Sequence, residues 1–331
     1  MILNIKNNEK KSEIVIGEIT QWCGENIVKK EKYINIITKY FSKAKYMDYE
    51  RNLECEIYFE NNLLGRNFFN VYEISSRNDI VSEFKLGKNT LATKYLLDKV
   101  SKDFDMVSEM EMISDILSKI FSSINDEVLS DFNDIMIDFE ASKLFEIVQK
   151  GVVNNKEGEN INFLSNYDLI INYINLVKKI EEGTNERKLI IIENIDHLLN
   201  AKEYRYLYEE ISNITKNTDI SFLMTISIDG YCIIDKFNIE NIFVINDEEF
   251  IFPSYNHIEN FIEMNYPRNI DVDEDWLLYN LEKCANKIGK SGYAREIPTD
   301  VILKMINGTL NINSNAKYSG NGIEFDFIGI K

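Results

Sequence analysis

The chain has 331 residues, 55 acidic against 37 basic, for a formal net charge of −18. A hydrophobic fraction of 44% is enough to bury a core, which excludes an acidic disordered tail, and the surplus of acid argues against a generic polyanion binder. The length suits about two domains of ordinary size, and only 3 Pro and 14 Gly leave little room for long linkers or all-β turn chemistry.

Residues 53–59 and 68–74 are short β-branched or aromatic segments that predict strands. Ile36, Ile37, Tyr40 and Phe41 recur at helical spacing, as do Leu91, Tyr95 and Leu96 in 90–100. From Met106 the apolar positions Met110, Ile113, Leu117, Ile120 and Ile124 follow a heptad-like seam, which suits a helix packed on its own domain or one used in self-association. A helix is expected over 143–150, stopped by Gly151 at C′, then a polar loop over 154–160. Ser165 and Asp168 read as an N-cap with an acid at the third position, opening a helix that ends at Gly183. Residues 106–183 thus form a helical unit inserted between α/β parts. The apolar run 189–192 closed by Glu193 reads as a strand covered on both faces. Helix 202–215 and strands 220–226 and 241–245 follow, an order that implies βαβ units and an open sheet. Beyond Pro253 helices are expected at 274–288 and after Pro298, and the polar end, 311–331, reads as a poorly anchored appendage.

The cysteines, Cys23, Cys55, Cys232 and Cys284, show no CxxC pattern and read as free thiols in a reducing compartment. The first residues lack a secretory apolar region, and no stretch approaches the roughly 18 apolar residues of a membrane span, so a soluble cytoplasmic protein is expected.

The 189–193 strand resembles the Walker B strand of nucleotide hydrolases, whose terminal acid holds magnesium. Its phosphate loop would have to be 82–90, where Ser82 replaces the first glycine and Asn89 stands in place of the hydroxyl. The plainer reading of Gly87 to Thr90 is a turn and N-cap. The architecture is that of an ATPase-like open-sheet head lacking a P-loop, and an NTPase using Lys85 to Thr90 as an unconventional loop with Glu193 as metal acid is the alternative. His197 and His257 have no ligand-spaced partner and read as surface and loop residues; no nucleophile signature occurs. The densest acidic stretch, Asp126, Glu127, Asp131, Asp134, Asp138 and Glu140 with Glu146 beyond it, is a solvated face or an irregular calcium site, since it lacks the EF-hand spacing. Charge is uneven along the chain: residues 1–100 carry net +2, 101–200 carry −11 and 201–331 carry −9. The early basic residues, among them Lys43, Lys45, Arg51 and Arg66, form a solvated surface unless one concave face gathers them for duplex phosphates.

The order of a small α/β head, heptad-like helix, acidic segment, helix pair and Lys-Leu-Ile-Ile-Ile strand resembles the Csn-two family, the accessory proteins of type II-A CRISPR spacer acquisition. The most telling parts are 187–194 with the helix after it, and 138–152; residues beyond about 253 match the C-terminal extension of its long forms. The resemblance implies a head of 1–105 plus 185–252, a helical leg of 106–184 and an extension of 253–331. It implies a non-enzymatic homotetrameric ring that encircles double-stranded DNA and prefers free ends. The CRISPR integrase and the type II effector nuclease are the implied partners, with no membrane involved. It further implies Ca2+ held by Asp138, Glu140 and Glu146, with Asp134 a fourth acid, and DNA-facing Arg66, with Lys43, Lys45 and Arg51 less closely matched. On this reading the net +2 segment lines the ring and the acidic remainder faces outward.

Overall fold

A computed structural model describes the chain apart from residues 8, 9, 128–146, 148, 181–186, 229, 231, 271, 293, 295, 314–321 and 329–331. In chain order the elements are β1 (Ile2–Asn7), β2 (Lys10–Val15), β3 (Ile19–Cys23), α1 (Ile27–Phe41), β4 (Glu56–Phe59), β5 (Asn62–Leu63) and β6 (Phe69–Ile74). Four helices follow: α2 (Arg77–Phe84), α3 (Leu91–Lys102), α4 (Phe104–Glu127) and α5 (Asn166–Ile180). Then come β7 (Arg187–Glu193), α6 (Ala201–Thr215), β8 (Ile220–Thr225), β9 (Ile242–Ile245) and β10 (Glu249–Ile251). The chain closes with α7 (Tyr255–Asn265), α8 (Glu274–Cys284), α9 (Ile297–Thr309) and α10 (Ile323–Ile328). By internal contact these fall into two units, Met1–Ser76 with Asn185–Lys331, and Arg77–Thr184.

The first unit is built on a six-stranded sheet in the order β10-β9-β3-β8-β7-β6, parallel except for β10 at the edge. The apolar run in β7 is the reason for that arrangement: Leu189 to Ile192 are buried, with Ile190 between Tyr72 of β6 and Phe222 of β8. Only a parallel strand covered on both faces accommodates such a run. A smaller antiparallel sheet, β2-β1-β4-β5, turns Leu3, Ile5, Ile14 and Ile57 into the core shared with α1. Trp22 of β3 is the largest fully buried side chain and meets Tyr33 and Phe243 edge-on at 6.1 and 6.0 Å. Helix α6 begins where its sequence says it should. Asn200 accepts from the amides of Lys202 and Glu203, and Glu203 returns a bond to the Asn200 amide.

Four local features depart from the sequence reading. The 53–59 strand is confined to β4, because Asp48–Leu53 winds into a 3-10 turn. Strands β1 to β3 carried no expectation, and in β3 the polar pair Thr20 and Gln21 is fully buried. Gln21 solves this with its own amide: Nε2 donates to Ile233 O at 2.5 Å and Oε1 accepts from Ile233 N at 3.0 Å. His257 lies within α7, a helix the sequence did not suggest, and not in a loop. The chain end is anchored as far as it is described. Ile328 is fully buried, Glu324 accepts from Tyr266 Oη at 3.1 Å and pairs with Arg268 at 3.1 Å, and Lys304 Nζ donates to Phe327 O.

In the second unit Arg77 at the start of α2 donates to Asn166 Oδ1 at 2.5 Å and to the carbonyls of Asn162 and Leu164 at 2.6 and 2.8 Å. That fork binds α2 to the start of α5, so the contact boundary falls at Ser76, ahead of the change of texture at 105. Residues 253–331 group with the head. Ser165 Oγ accepts from the Asp168 amide at 3.1 Å and donates to its carboxylate at 2.6 Å, as the capping pattern predicts. Along α4 Met110 is 8% exposed, and Met106, Ile113 and Ile120 are 47%, 37% and 48% exposed, so among the described residues the seam is only partly covered. The helix read over 143–150 and the stop at Gly183 lie largely outside the described residues.

A Gln21→Met variant keeps the side-chain volume but leaves the Ile233 amide buried and unpaired, its carbonyl still accepting from Asn238 Nδ2 at 3.1 Å. It should lose about 1–3 kcal/mol of unfolding free energy, read as a lower urea midpoint at unchanged slope.

Candidate functional site

Two places in the head bear on function: the turn after α1, and the carboxyl edge of the parallel sheet. The first gathers the basic residues singled out by the sequence. Helix α1 ends at Ser42, whose amide donates to Thr38 O at 2.9 Å, and Lys43 leaves it in the left-handed conformation at φ 63°. Arg66 reaches across from the turn before β6. Its Nε donates to Tyr40 O at 2.9 Å, and Nη2 donates to Lys39 O at 3.1 Å and Ala44 O at 2.7 Å. The guanidinium also lies 5.2 Å from the Tyr46 ring centroid and 6.0 Å from that of Tyr40. Arg66 therefore closes the helix end and holds the loop that carries Lys43 and Lys45, both exposed. Burial pushes the Tyr46 hydroxyl up to about 12, and that oxygen makes no hydrogen bond.

Arg51 sits on the 3-10 turn after that loop and pairs with Asp48 at 2.6 Å. Both side chains are 76% or more exposed, so the pair adds little stability and partly cancels the charge. The same turn is tied back to α1 by Lys39 and Glu50 at 2.6 Å, which holds the Glu50 carboxyl below its usual range. Arg187, not singled out as basic by sequence reasoning, lies with its guanidinium 4.8 Å from the Phe68 ring, next to the Arg66 turn. Its signal was hidden because it opens a strand whose apolar run dominates the local pattern. Asp134, Asp138, Glu140 and Glu146 lie outside the described residues. Among the described residues no group of three or more His, Cys, Asp or Glu side chains is placed to hold a metal ion.

The carboxyl edge of an open parallel sheet is where such folds bind ligands. Here a cleft of about 310 Å³ is lined by Lys30, Glu31 and Asn35 of α1, with Glu73, Glu193 and Thr225 at the ends of β6, β7 and β8. Lys30 is 3% exposed and donates to Ile226 O at 2.6 Å; burial lowers its pKa. The turn from β3 into α1 is filled by the chain itself. Gly24 takes φ +94°, and a Cβ there would stand 2.2 Å from Ile245 O. The Gly24 amide donates to Asn286 Oδ1 at 2.9 Å, the Glu25 amide to Asn246 Oδ1 at 2.6 Å, and the Asn26 side chain caps the Lys29 amide at 3.1 Å. The Glu25 carboxylate pairs with Lys287 at 2.6 Å and with Lys290; burial raises its pKa, but the two lysines outweigh that and hold it below its usual range.

The 82–90 segment is the end of α2 and the short linker into α3, and it follows helix and not strand. Thr90 stands at the N-cap position of α3, as the plainer reading had it, with its hydroxyl donating back to Lys85 O at 2.6 Å. The first amide of α3, that of Leu91, is taken by Glu83 Oε2 at 2.9 Å. An acid thus fills the position a phosphate would need. His197 is exposed beside Asn194 O, in keeping with a surface residue.

Since three carbonyls use the fork geometry of Arg66, charge alone cannot replace it. Arg66→Lys should therefore lower the melting temperature nearly as much as Arg66→Ala, by several degrees, measured by thermal circular dichroism. Retention of wild-type stability by the lysine variant would show that the fork is dispensable.

No curated protein sequence matches the chain. A solved structure, the crystal structure of Stu0660 of Streptococcus thermophilus, superposes with a TM-score of 0.83 at 21% identity, covering 97% of each chain. Likenesses to an ATP-binding cassette of an ABC transporter in its ADP conformation (TM-score 0.37, 14% identity, 74% of this chain and 87% of that one) and to an Smc head bound to the C-winged helix domain of ScpA (0.39, 14%, 73% and 92%) are too low to bear on the fold. The family model for CRISPR-associated protein Csn2, subfamily St, matches residues 5–289. The chain belongs to the CRISPR-associated Csn2 family, subfamily St.

Proposed function

We propose that this CRISPR adaptation protein is a calcium-supported, sequence-independent clamp on double-stranded DNA. Four copies form a ring that accepts duplex through its free ends during spacer acquisition, beside the CRISPR integrase and the type II effector nuclease. Membership of the Csn2 family, matched over residues 5–289, is the observation that carries this reading. The surface around Arg66 supports it: the loop with Lys43 and Lys45 and the nearby Arg51 and Arg187 offer cations to phosphates without any base-reading element. The partly covered apolar seam of α4 supports self-association.

No chemical step is assigned to the head. We read it as an ATPase-like sheet without a working phosphate loop, since the amides leading into α1 and α3 are held by Asn246, Asn286 and Glu83. The acidic remainder of the chain repels duplex from any other face and leaves the basic one as the route of approach.

Linear duplex should bind the protein, and a covalently closed circle of the same sequence should bind at least tenfold more weakly in a competition shift assay. Equal affinity would overturn end-threading. The log–log salt slope should steepen by about 0.9 for each phosphate neutralised.

Calcium at 100 times its dissociation constant should add about 2.7 kcal/mol of stability per site. Replacing Asp138, Glu140 and Glu146 by alanine should abolish the rise in melting temperature with calcium, with Asp134→Ala reducing it. An unchanged rise removes these acids as ligands.

A further inference from the structure

The mechanism proposed above makes no use of the cysteines, yet two of them meet in the core. Cys23 ends β3 and is fully buried; Cys232 follows β8 and is 7% exposed. Their sulfurs stand 3.1 Å apart, although the residues are 209 positions apart in sequence. Both backbones are fixed by hydrogen bonds, and the segment of Cys232 is tied to β3 itself through Gln21. Cys23 is paired in register with Val244 of β9. Cys232 is followed by Ile233, gripped by Gln21, and by Ile234, whose amide donates to Glu282 Oε1 at 3.0 Å. The approach is thus set by the sheet and its flanking segment, not by two mobile side chains. A sulfur–sulfur bond of about 2.05 Å requires each atom to move by only about half an ångström. The other two thiols are differently placed: Cys284 donates to Leu281 O of its own helix at 3.7 Å, and Cys55 is half-buried in the first part of the chain.

We propose that Cys23 and Cys232 are an oxidisable pair that a small peroxide closes to a disulfide, locking β3 to the segment after β8. The adjoining Cys23 sulfur and burial push the Cys232 thiol well above its usual range, so Cys232 keeps its proton until the second step. In the first step one thiolate sulfur attacks a peroxide oxygen, the O–O bond breaks, and a sulfenic acid and hydroxide result. In the second the other thiol attacks the sulfenic sulfur and its proton leaves with the displaced oxygen as water, while the proton given up by the first thiol neutralises the hydroxide of the first step. Two thiols lose two electrons and two protons, and hydrogen peroxide is reduced to two waters. Burial selects the oxidant, because a tripeptide disulfide cannot reach either sulfur. Lys30, which lines the carboxyl-edge cleft, interacts electrostatically with both sulfurs, so the pair adjoins one wall of that cleft through it.

The test uses the full chain, exposed to hydrogen peroxide or to glutathione disulfide, then unfolded and alkylated with iodoacetamide. Intact mass should show four alkylated thiols before treatment. Peroxide should remove two of the alkylated sites, and peptide mapping should place the link between Cys23 and Cys232. Cys23→Ser and Cys232→Ala should each abolish the link. Glutathione disulfide should leave all four thiols reactive after the same exposure. Retention of four thiols after peroxide, or a link through Cys55 or Cys284, overturns the proposal. Equal oxidation by the two reagents overturns the selection by size. The wild-type map alone decides the first point, whether or not a variant folds.

Discussion

A strand buried on both faces and flanked by parallel neighbours cannot give its last backbone groups to water. In this head the strand is β3, and the chain satisfies its carboxyl end with side chains brought from far along the sequence. Asn246 from the end of β9 and Asn286 from beyond α8 take the amides of Glu25 and Gly24. Asn246 also donates to the carbonyls of Asn286 and Ile288, at 3.0 and 2.5 Å, and Asn307 of α9 accepts from the Gly289 amide at 2.9 Å. Residues after 253 are therefore structural members of the head. Their asparagines complete a hydrogen-bond inventory that the parallel sheet opens and cannot close alone.

This also explains what the sequence could and could not disclose. Apolar runs and caps are local signals, so β7 was legible from Leu189 to Ile192 and the start of α5 from Ser165 with Asp168, and β8, β9 and α6 followed from the order of segments around them. Strand β3 was not legible, because Thr20 and Gln21 look like surface residues until Ile233 is known to lie opposite. The hairpin of β1 and β2 did carry a signal, the alternation Leu3, Ile5 and Ile14, Ile16, which the surrounding lysines and asparagines masked. The end of the chain looked unanchored because its ties, Glu324 to Tyr266 and Arg268, join polar residues distant in sequence.

The candidate site was legible in kind more than in role. The family resemblance grouped Lys43, Lys45, Arg51 and Arg66, and folding brings them around the end of α1. Their duties differ, however. Arg66 spends its directional donors on carbonyls and shapes the loop, Arg51 faces Asp48, and the two lysines project as flexible point charges. Residue type thus leaves these cations alike, while the hydrogen-bond geometry separates the one that shapes the loop from the two that stay exposed. The same holds for Glu193: a strand-end acid suggests metal chemistry, but its neighbours in the cleft include the cation of Lys30 as well as other acids.

The position of β3 also fixes the order in which the protein is completed during synthesis. The strand leaves the ribosome with Cys23, but the two strands that pair with it, Ile220–Thr225 and Ile242–Ile245, follow only after the whole helical unit has been made. Until then β3 has two open edges, the condition in which strands mispair. The early hairpin and α1 shelter one side of the core through Leu3, Ile5, Tyr33 and Ile37. Final closure waits for residues near the C-terminus, so a prematurely ended chain is left with an unfinished sheet rather than with a smaller working head.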